Sequence, residues 1–347
     1  MAQAITTLRC VFTVGGVEFP ELAAALVELD IATKENQPAR CTACFTASPA
    51  GGDVLDRQIL DFGGWIKVSR GGARLFSGRI VALGLRRSAT APPVLQMVAE
   101  DALLGLSGIR RTRTFTDLSD TDILYRIASD HGLQADVELS GPTMKAVAQV
   151  ATTDLDFLVE RLQRLDARMW VEESTLHVRP RRIQPAAAVR MSIGRDLHEF
   201  SVLADVRGQH GQIAVVGWDV AGKVGLEAVA TDADLGTEAQ DGDTGGEIQS
   251  RAFTDSTNTE ARRLASTWDE AHAWARAAFR REARRFVSGQ GITELDGRIS
   301  PGASVDIQGL GRSFSGAYLV TGARHRFDST HGYRTEFSAE RPALGRV

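Results

Sequence analysis

Three cysteines, 6% aromatic residues and a net charge of only −4 are the scarcities of this 347-residue chain. Three cysteines leave no room for a disulfide framework and suit a reducing cytoplasm. So small a net charge supplies no global basic field for holding nucleic acid. No run of about 18 apolar residues occurs, so no membrane-spanning helix is expected. The opening MAQAITTLRC lacks a basic region followed by an apolar run, so no secretory leader is expected. There is no G-x-x-x-x-G-K-[ST] loop, no G-x-S-x-G elbow and no H-E-x-x-H pair, which removes a built-in ATP motor, an elbow-type hydrolase and a zincin. Gly309-Leu310-Gly311 is no dinucleotide fingerprint, because the third glycine is misplaced and strands follow.

What is present is globular. Hydrophobic residues make 43% and charged residues 24%, near ordinary averages, and the length suggests about two or three domains. The 34 glycines suit many turns between short strands. Residues 5–100 alternate with period two, clearest at Arg40–Ala47. Gly15-Gly16 and Gly71-Gly72 mark tight hairpins. Asp120–His131 predicts a helix with Ile123, Leu124, Ile127 and Ala128 on its inner face and Gly132 past its end. Thr153 can cap a second helix whose apolar stripe is Leu155, Leu158, Leu162 and Leu165. Glu160 and Arg164 are spaced for an ion pair on it. Arg168–Glu172 and Thr175–Arg179 then read as a hairpin turning at Glu173-Ser174. Arg207–Gly217 and Lys223–Val229 read as strands joined at Ala221-Gly222. Ala230–Gly246, acidic and nearly free of large apolar residues, reads as a long exposed loop. A long helix is expected over about 260–286, capped by Thr257 or Thr259, with the pattern on Glu260–Arg285 and packing through Leu264, Trp268, Ala271, Ala275, Ala278 and Phe279. Strands resume to Arg341, with turns at Pro301-Gly302 and Asp328–Gly332.

Chemistry-bearing residues are present but not in chemical patterns. Cys41 and Cys44 form C-x-x-C, yet no second ligand pair lies at zinc spacing. In a strand the two side chains face opposite ways, so core packing is the reading. His131, His177, His198, His210, His272, His325 and His331 form no ligand or catalytic pair. Asp154/Asp156 and Glu172/Glu173 are spaced like glycosidase acids, but helix-start electrostatics explains the first pair and an exposed turn the second. Arg280, Arg281, Arg284 and Arg285 suit a helix end. They read as a solvated or subunit-contact face, since no aromatic stacking residues interleave. Arg179–Arg182 reads as an exposed connection. No catalytic, cofactor-binding or metal-ligating residue is assigned, and no enzyme activity is expected.

The run Asp154–Leu162 (DLDFLVERL), followed by Ala167, Trp170, Glu172 and Leu176-His177, resembles the phage late control D proteins. These are baseplate hubs of contractile tails, related to the hub part of VgrG in type VI secretion. Asp120–Gly132 and the patches between Gly297 and Arg341 are similar to the family's upstream helix and closing strands. The resemblance implies an α+β, β-rich fold: two tail-tube-like β-barrels with an intervening mixed α/β module. The barrels fall at residues 1–105 and 183–347 and the module at 106–182. It also implies a structural hub, assembled in the bacterial cytoplasm into a phage tail or contractile injection system. As a homotrimeric ring, the hub would adapt a threefold spike to a sixfold inner tube. The implied partners are further copies, a separate spike protein, the inner tube or its initiator, baseplate components and a cargo effector, with no direct nucleic-acid binding. Many relatives continue into a further barrel and a β-helical needle. This sequence stops at Val347, hence the separate spike, and the 230–246 loop is expected to order against tube, spike or cargo. The alternatives are a tail-associated peptidoglycan hydrolase and a carbohydrate-binding tail module. Five tryptophans and three tyrosines are few for the latter, and Trp268 and Trp274 fall on the long helix.

Overall fold

A computed structural model describes residues 9–46, 59–184, 187–220, 222–239, 242–253 and 257–345, with backbone only at 257 and 259–264. The first stretch carries β1 (Val11–Val14), β2 (Val17–Glu18), α1 (Pro20–Ala25), β3 (Leu26–Lys34), β4 (Arg40–Thr46), β5 (Trp65–Arg70), β6 (Ala73–Arg86) and β7 (Val94–Glu100). The middle stretch carries β8 (Arg110–Leu118), α2 (Asp120–Asp130), β9 (Gln134–Val137), β10 (Met144–Thr153), α3 (Asp154–Arg164), β11 (Ala167–Glu172) and β12 (Thr175–Pro180). The last stretch begins with β13 (Val189–Ser192), β14 (Leu197–Ala204), β15 (Gln212–Asp219) and β16 (Val224–Thr231). It continues through β17 (Gly242–Thr244), α4 (Gly245–Ala252), β18 (Thr257–Ala265), α5 (Trp268–Arg284) and β19 (Val287–Glu294). It closes with β20 (Ser304–Gln308), α6 (Gly311–Phe314), β21 (Gly316–Asp328), β22 (Gly332–Arg341) and β23 (Ala343–Gly345).

The chain is β-rich. The first and last stretches share one sheet, in the order β14-β19-β22-β21-β3-β4-β7-β6-β5-β1-β2, with β20 and β13 attached beside β21. No closed barrel is found among the described residues. Period two explains the sheet's sidedness. Leu29, Ile31, Cys41, Phe45 and Met97 are fully buried, while the alternating Asp30, Thr42 and Gln96 face the other side. Two glycines make the same pattern possible in the last stretch. A Cβ on Gly291 would stand 2.5 Å from the Phe337 ring, and one on Gly289 would overlap Phe200. The missing side chains leave the volume that the two rings fill.

The middle stretch packs around its own apolar cluster, with Ile123, Ile127, Leu158 and Leu162 facing Met169 and Leu176. Its helices start where side chains satisfy the orphan amides. Ser119 and Asp122 form a reciprocal capping box on α2, and Thr153 accepts from the Asp156 amide on α3. The hairpin turns at Glu173, which adopts φ +57°.

Two expectations need correcting. The long helix does not begin near residue 260. Residues 257–265 form β18, parallel to β15, and α5 runs only from Trp268 to Arg284, capped by Thr267 rather than Thr257 or Thr259. EARRLA is a good helix sequence, but pairing outweighs propensity. Gly217 in β15 gives the Ala265 carbonyl room that a Cβ would occupy. The side chain of Leu264 lies outside the described residues. The acidic segment 230–246 is not an exposed loop either. It ends β16, makes 3-10 turns over Asp232–Ala239, pairs Gly242–Thr244 with β23 and starts α4; residues 240 and 241 lie outside the described residues. One leucine suffices to anchor it: Leu235 is buried against α5. The β15–β16 turn falls where expected, although Ala221 lies outside the described residues.

Candidate functional site

Two features join distant parts of the chain: a seam in the main sheet and a buried charge cluster beside it. At the seam, β21 runs antiparallel to β3, with Gly322 opposite Lys34 and Asp328 opposite Glu28. Arg324 reaches across to Asp30, its Nε 2.8 Å from each carboxylate oxygen. The pair is half exposed, so it contributes at most about 1 kcal/mol and mainly fixes register. The polar face of the seam carries a shallow groove of about 470 Å³ whose lining includes Lys34, Glu199, Ser201, Gln290, Arg324 and Ser338.

The charge cluster holds four acids on two guanidiniums. Arg181 Nη2 lies 2.8 Å from Glu35 and 2.8 Å from Glu340, and its Nη1 lies 3.2 Å from Asp166. Arg284 donates to Asp166 at 2.6 Å, to Glu238 at 2.7 Å and to the Arg181 carbonyl at 2.8 Å. The Arg284 side chain is 0% exposed. Five segments meet here: the β3–β4 turn, the middle stretch, the 3-10 segment, α5 and β22. Burial disfavours the charge on both arginines, but their several carboxylate partners outweigh it and raise their pKa values. The acids are in surplus. Burial pushes Glu35 up, and Glu340 repels it, despite the shared Arg181. Such a cluster is costly to desolvate and adds little net stability, but it specifies one relative placement of its segments. It corrects two expectations: Arg284 is not solvated, and Arg181 is not in an exposed connection. Nothing in the sequence flags Glu35, Asp166, Glu238 or Glu340 as its partners, because they lie up to 305 positions apart.

A second contact locks the β11–β12 hairpin to the last stretch. Arg168 stacks over Trp170 at 4.1 Å and donates to the Pro301 carbonyl at 2.7 Å. Gly302, at φ +80°, leaves the space that the Arg168 side chain crosses. Asn36, also at positive φ, accepts from the Met169 amide at 2.7 Å and so ties the first stretch to the same hairpin.

The residues singled out in the sequence do not assemble chemistry. Asp154 is buried and accepts from Arg113 (2.7 Å), His131 (2.8 Å) and Gln149 (2.8 Å). Burial alone would raise its pKa, but these donors hold it below the usual carboxylate range, so it is a fixed anion. Asp156 instead turns to the Thr153 hydroxyl at 2.8 Å. Glu172 and Glu173 pair with Arg74 and Lys67. Cys41 is buried and its thiol is pushed up by burial, while Cys44 is half-buried on the opposite face. His177 stacks on Trp170 and meets Asp136 at 3.0 Å. His198, His210 and His331 each pair with one carboxylate, and His272 lies beside Trp268. His325 is buried against Thr335 and pushed down to about 4 by burial. Gly309 and Gly311 only turn the chain into α6. Among the described residues, no three His, Cys, Asp or Glu side chains gather as a metal site, and no helix is long and apolar enough to cross a membrane.

The Alg8 N-terminal domain family model matches residues 65–329, more than three-quarters of the sequence. The chain belongs to the Alg8 N-terminal domain family. No curated protein matches it. Solved structures show what fold this Alg8 N-terminal domain has. The prophage MuSo2 43 kDa tail protein from Shewanella oneidensis is 12% identical with a TM-score of 0.70, over 97% of this chain and 99% of that one. A tail protein from Neisseria meningitidis MC58 is 12% identical with a TM-score of 0.67, over 97% of each. The E. coli c3393 protein, a type VI secretion component described as similar to T4 tail proteins gp27 and gp5, is 13% identical. Its TM-score is 0.58, over 97% of this chain and 79% of that one. This chain therefore has the fold of these tail proteins and of this type VI secretion component.

Proposed function

We propose that this chain is a structural hub of the late control D and VgrG-like type. It would work without enzymatic chemistry in a phage tail or contractile injection system. In this reading residues 1–105 and 183–347 form two tube-like units, residues 106–182 hold them in register, and three copies close into a ring. That ring would adapt a threefold spike to a sixfold inner tube. A separate spike, the tube or its initiator, baseplate components and a cargo effector are its partners, and assembly takes place in the bacterial cytoplasm.

The observation that carries this reading is a pair of unlike bare edges in the main sheet, on β14 and on the last residues of β6. From β14 to β6 it has eight strands, each antiparallel to the next. Among the described residues, no strand pairs along the outer edge of β14 beyond a single bridge from Ile193 to Leu197, or along β6 at residues 81–86 on the side away from β7. Bare edges are templates for further pairing. The number of strands is even, so β14 of a second copy laid along β6 continues the antiparallel alternation. Contacts between unlike surfaces produce rings or filaments rather than twofold dimers. At about 4.8 Å per strand, three copies give a cylinder about 37 Å across, and more if the strands tilt. Either face could line it, but only one is polar.

Leu203 on β14 and Leu85 on β6 are both exposed. Lysine at both positions places like charges on edges that must meet, without touching the core. The double variant is expected to remain monomeric at unchanged thermal stability, while the unaltered chain sediments as a larger species. Unaltered assembly by the variant would refute edge-to-edge closure.

A further inference from the structure

A third bare edge lies outside the main sheet. β15, β16 and β18 form a separate three-stranded sheet in the order β16-β15-β18, and α5 covers one face of it through Ile213, Val215, Ala228 and Ala230. β16 is an end strand, eight residues long, and no described strand pairs with its outer edge. On the face away from α5, Trp218 lies opposite Gly225, Val216 opposite Glu227 and Ala214 opposite Val229. Because its neighbour in β16 is a glycine, the Trp218 indole has no cross-strand side chain on the β16 side and is 48% exposed. Val229 is 43% exposed and Glu227 lies between them on the same row. Native proteins blunt such edges with proline, lysine or a bulge. β16 has none of these, and its pairing with β15 is regular over all eight residues.

We propose that the β16 edge is a docking site for an extended segment of a partner polypeptide, added as a fourth strand. Backbone hydrogen bonds would supply the pairing, and the exposed row would set the sequence. A side chain beside Gly225 must be large and apolar to cover Trp218, the next on that row must be basic to meet Glu227, and the third must be apolar to meet Val229. The residues between them face the α5 side, beside the buried Leu226 and Ala228, and must be small. The recognised pattern is therefore apolar–small–basic–small–apolar in extended form. This site is independent of the ring, since β16 is not part of the main sheet.

The test is titration of the full chain with the capped peptide Thr-Ile-Ala-Lys-Ala-Ile-Thr, read by tryptophan fluorescence and by amide exchange along β16. The expected result is saturable binding with slowed exchange confined to β15 and β16. Replacing the central lysine by glutamate should weaken binding about fivefold, the size of a cross-strand charge reversal. Glu227→Lys lies on the exposed row and should invert that preference. A proline at the peptide's centre should abolish binding, since the pairing needs its backbone amides. Saturable binding without slowed β16 exchange, or with the same preference in Glu227→Lys, would overturn the proposal, as would no binding at all. Because these readouts do not depend on the mass of the species titrated, failure of the ring would leave this result standing.

Discussion

Arg284→Ala is the sharpest perturbation of the charge cluster. The guanidinium is fully buried and neutralises Asp166 and Glu238, whose side chains are 4% and 6% exposed. Its loss leaves two buried carboxylates, with Arg181 as the remaining partner of Asp166 and, among the described residues, no other ion-pair partner for Glu238. Removing one member of a buried ion pair typically costs about 3–5 kcal/mol. Against a total stability of roughly 5–15 kcal/mol, that is a large fraction. At about 2–4 °C per kcal/mol, melting should fall by roughly 6–20 °C. The assay is urea unfolding with calorimetry, on Arg284→Ala and on the triple variant Arg284→Met, Asp166→Asn, Glu238→Gln. The triple variant removes the stranded charges together with the cation and should recover most of the loss, because an uncompensated charge costs more than a missing pair. A single variant within about 1 kcal/mol of the parent, or a triple variant no better than the single, would refute the reasoning.

Other outcomes follow from the same physics. Asp101 accepts from the Ala39 and Leu103 amides, and burial pushes it up to about 6; its contribution to stability is fully present below about pH 4 and is lost as pH rises through about 6. His325, pushed down to about 4 by burial, acts in the opposite sense: its contribution is present above pH 6.5 and is lost as pH falls towards 4. Each amounts to about 3 kcal/mol, so the two largely cancel in the parent. Asp101→Asn should uncover the histidine slope, with stability measured by urea falling from pH 7 to pH 4.5 more steeply than in the parent; an unchanged slope would count against it. Gly291→Ala should cost about 1–3 kcal/mol through its clash with Phe337, and Phe337→Leu in the same chain should return part of it, as chemical denaturation would show. Thr267→Ala should cost about 1 kcal/mol by uncapping α5, whereas alanine at Thr257 should leave the α5 start unchanged, a difference visible in amide exchange of the first helical turn.

Local structure was legible wherever one segment decided it. The α2 and α3 faces, the Thr153 cap, the β11–β12 hairpin and the period-two strands depend on neighbours a few residues away, and patterning reads those directly. Residues 257–265 were not legible, because a parallel neighbour 45 positions upstream and a glycine within it decide their conformation. The 230–246 segment misled because its anchors are one leucine and one glutamate that finds a buried arginine in α5. Polarity resembled exposure only until the partner was known. The charge cluster was hidden for the same reason. Arg181 and Arg284 each look solvated in sequence, and only the meeting of five segments buries them. The seam between β3 and β21 joins residues about 290 positions apart, beyond any local signal. The β-rich class was therefore readable, and the shared sheet was not.

Ring closure requires that the β14 edge of one copy meet the β6 edge of the next. Its most direct measurement is sedimentation equilibrium of the purified full chain over a hundredfold range of concentration. The expected result is a single associated species of three protomer masses, with no growth beyond it at high concentration. A chain that stays monomeric throughout, or that passes through a twofold dimer with like edges paired, would contradict it.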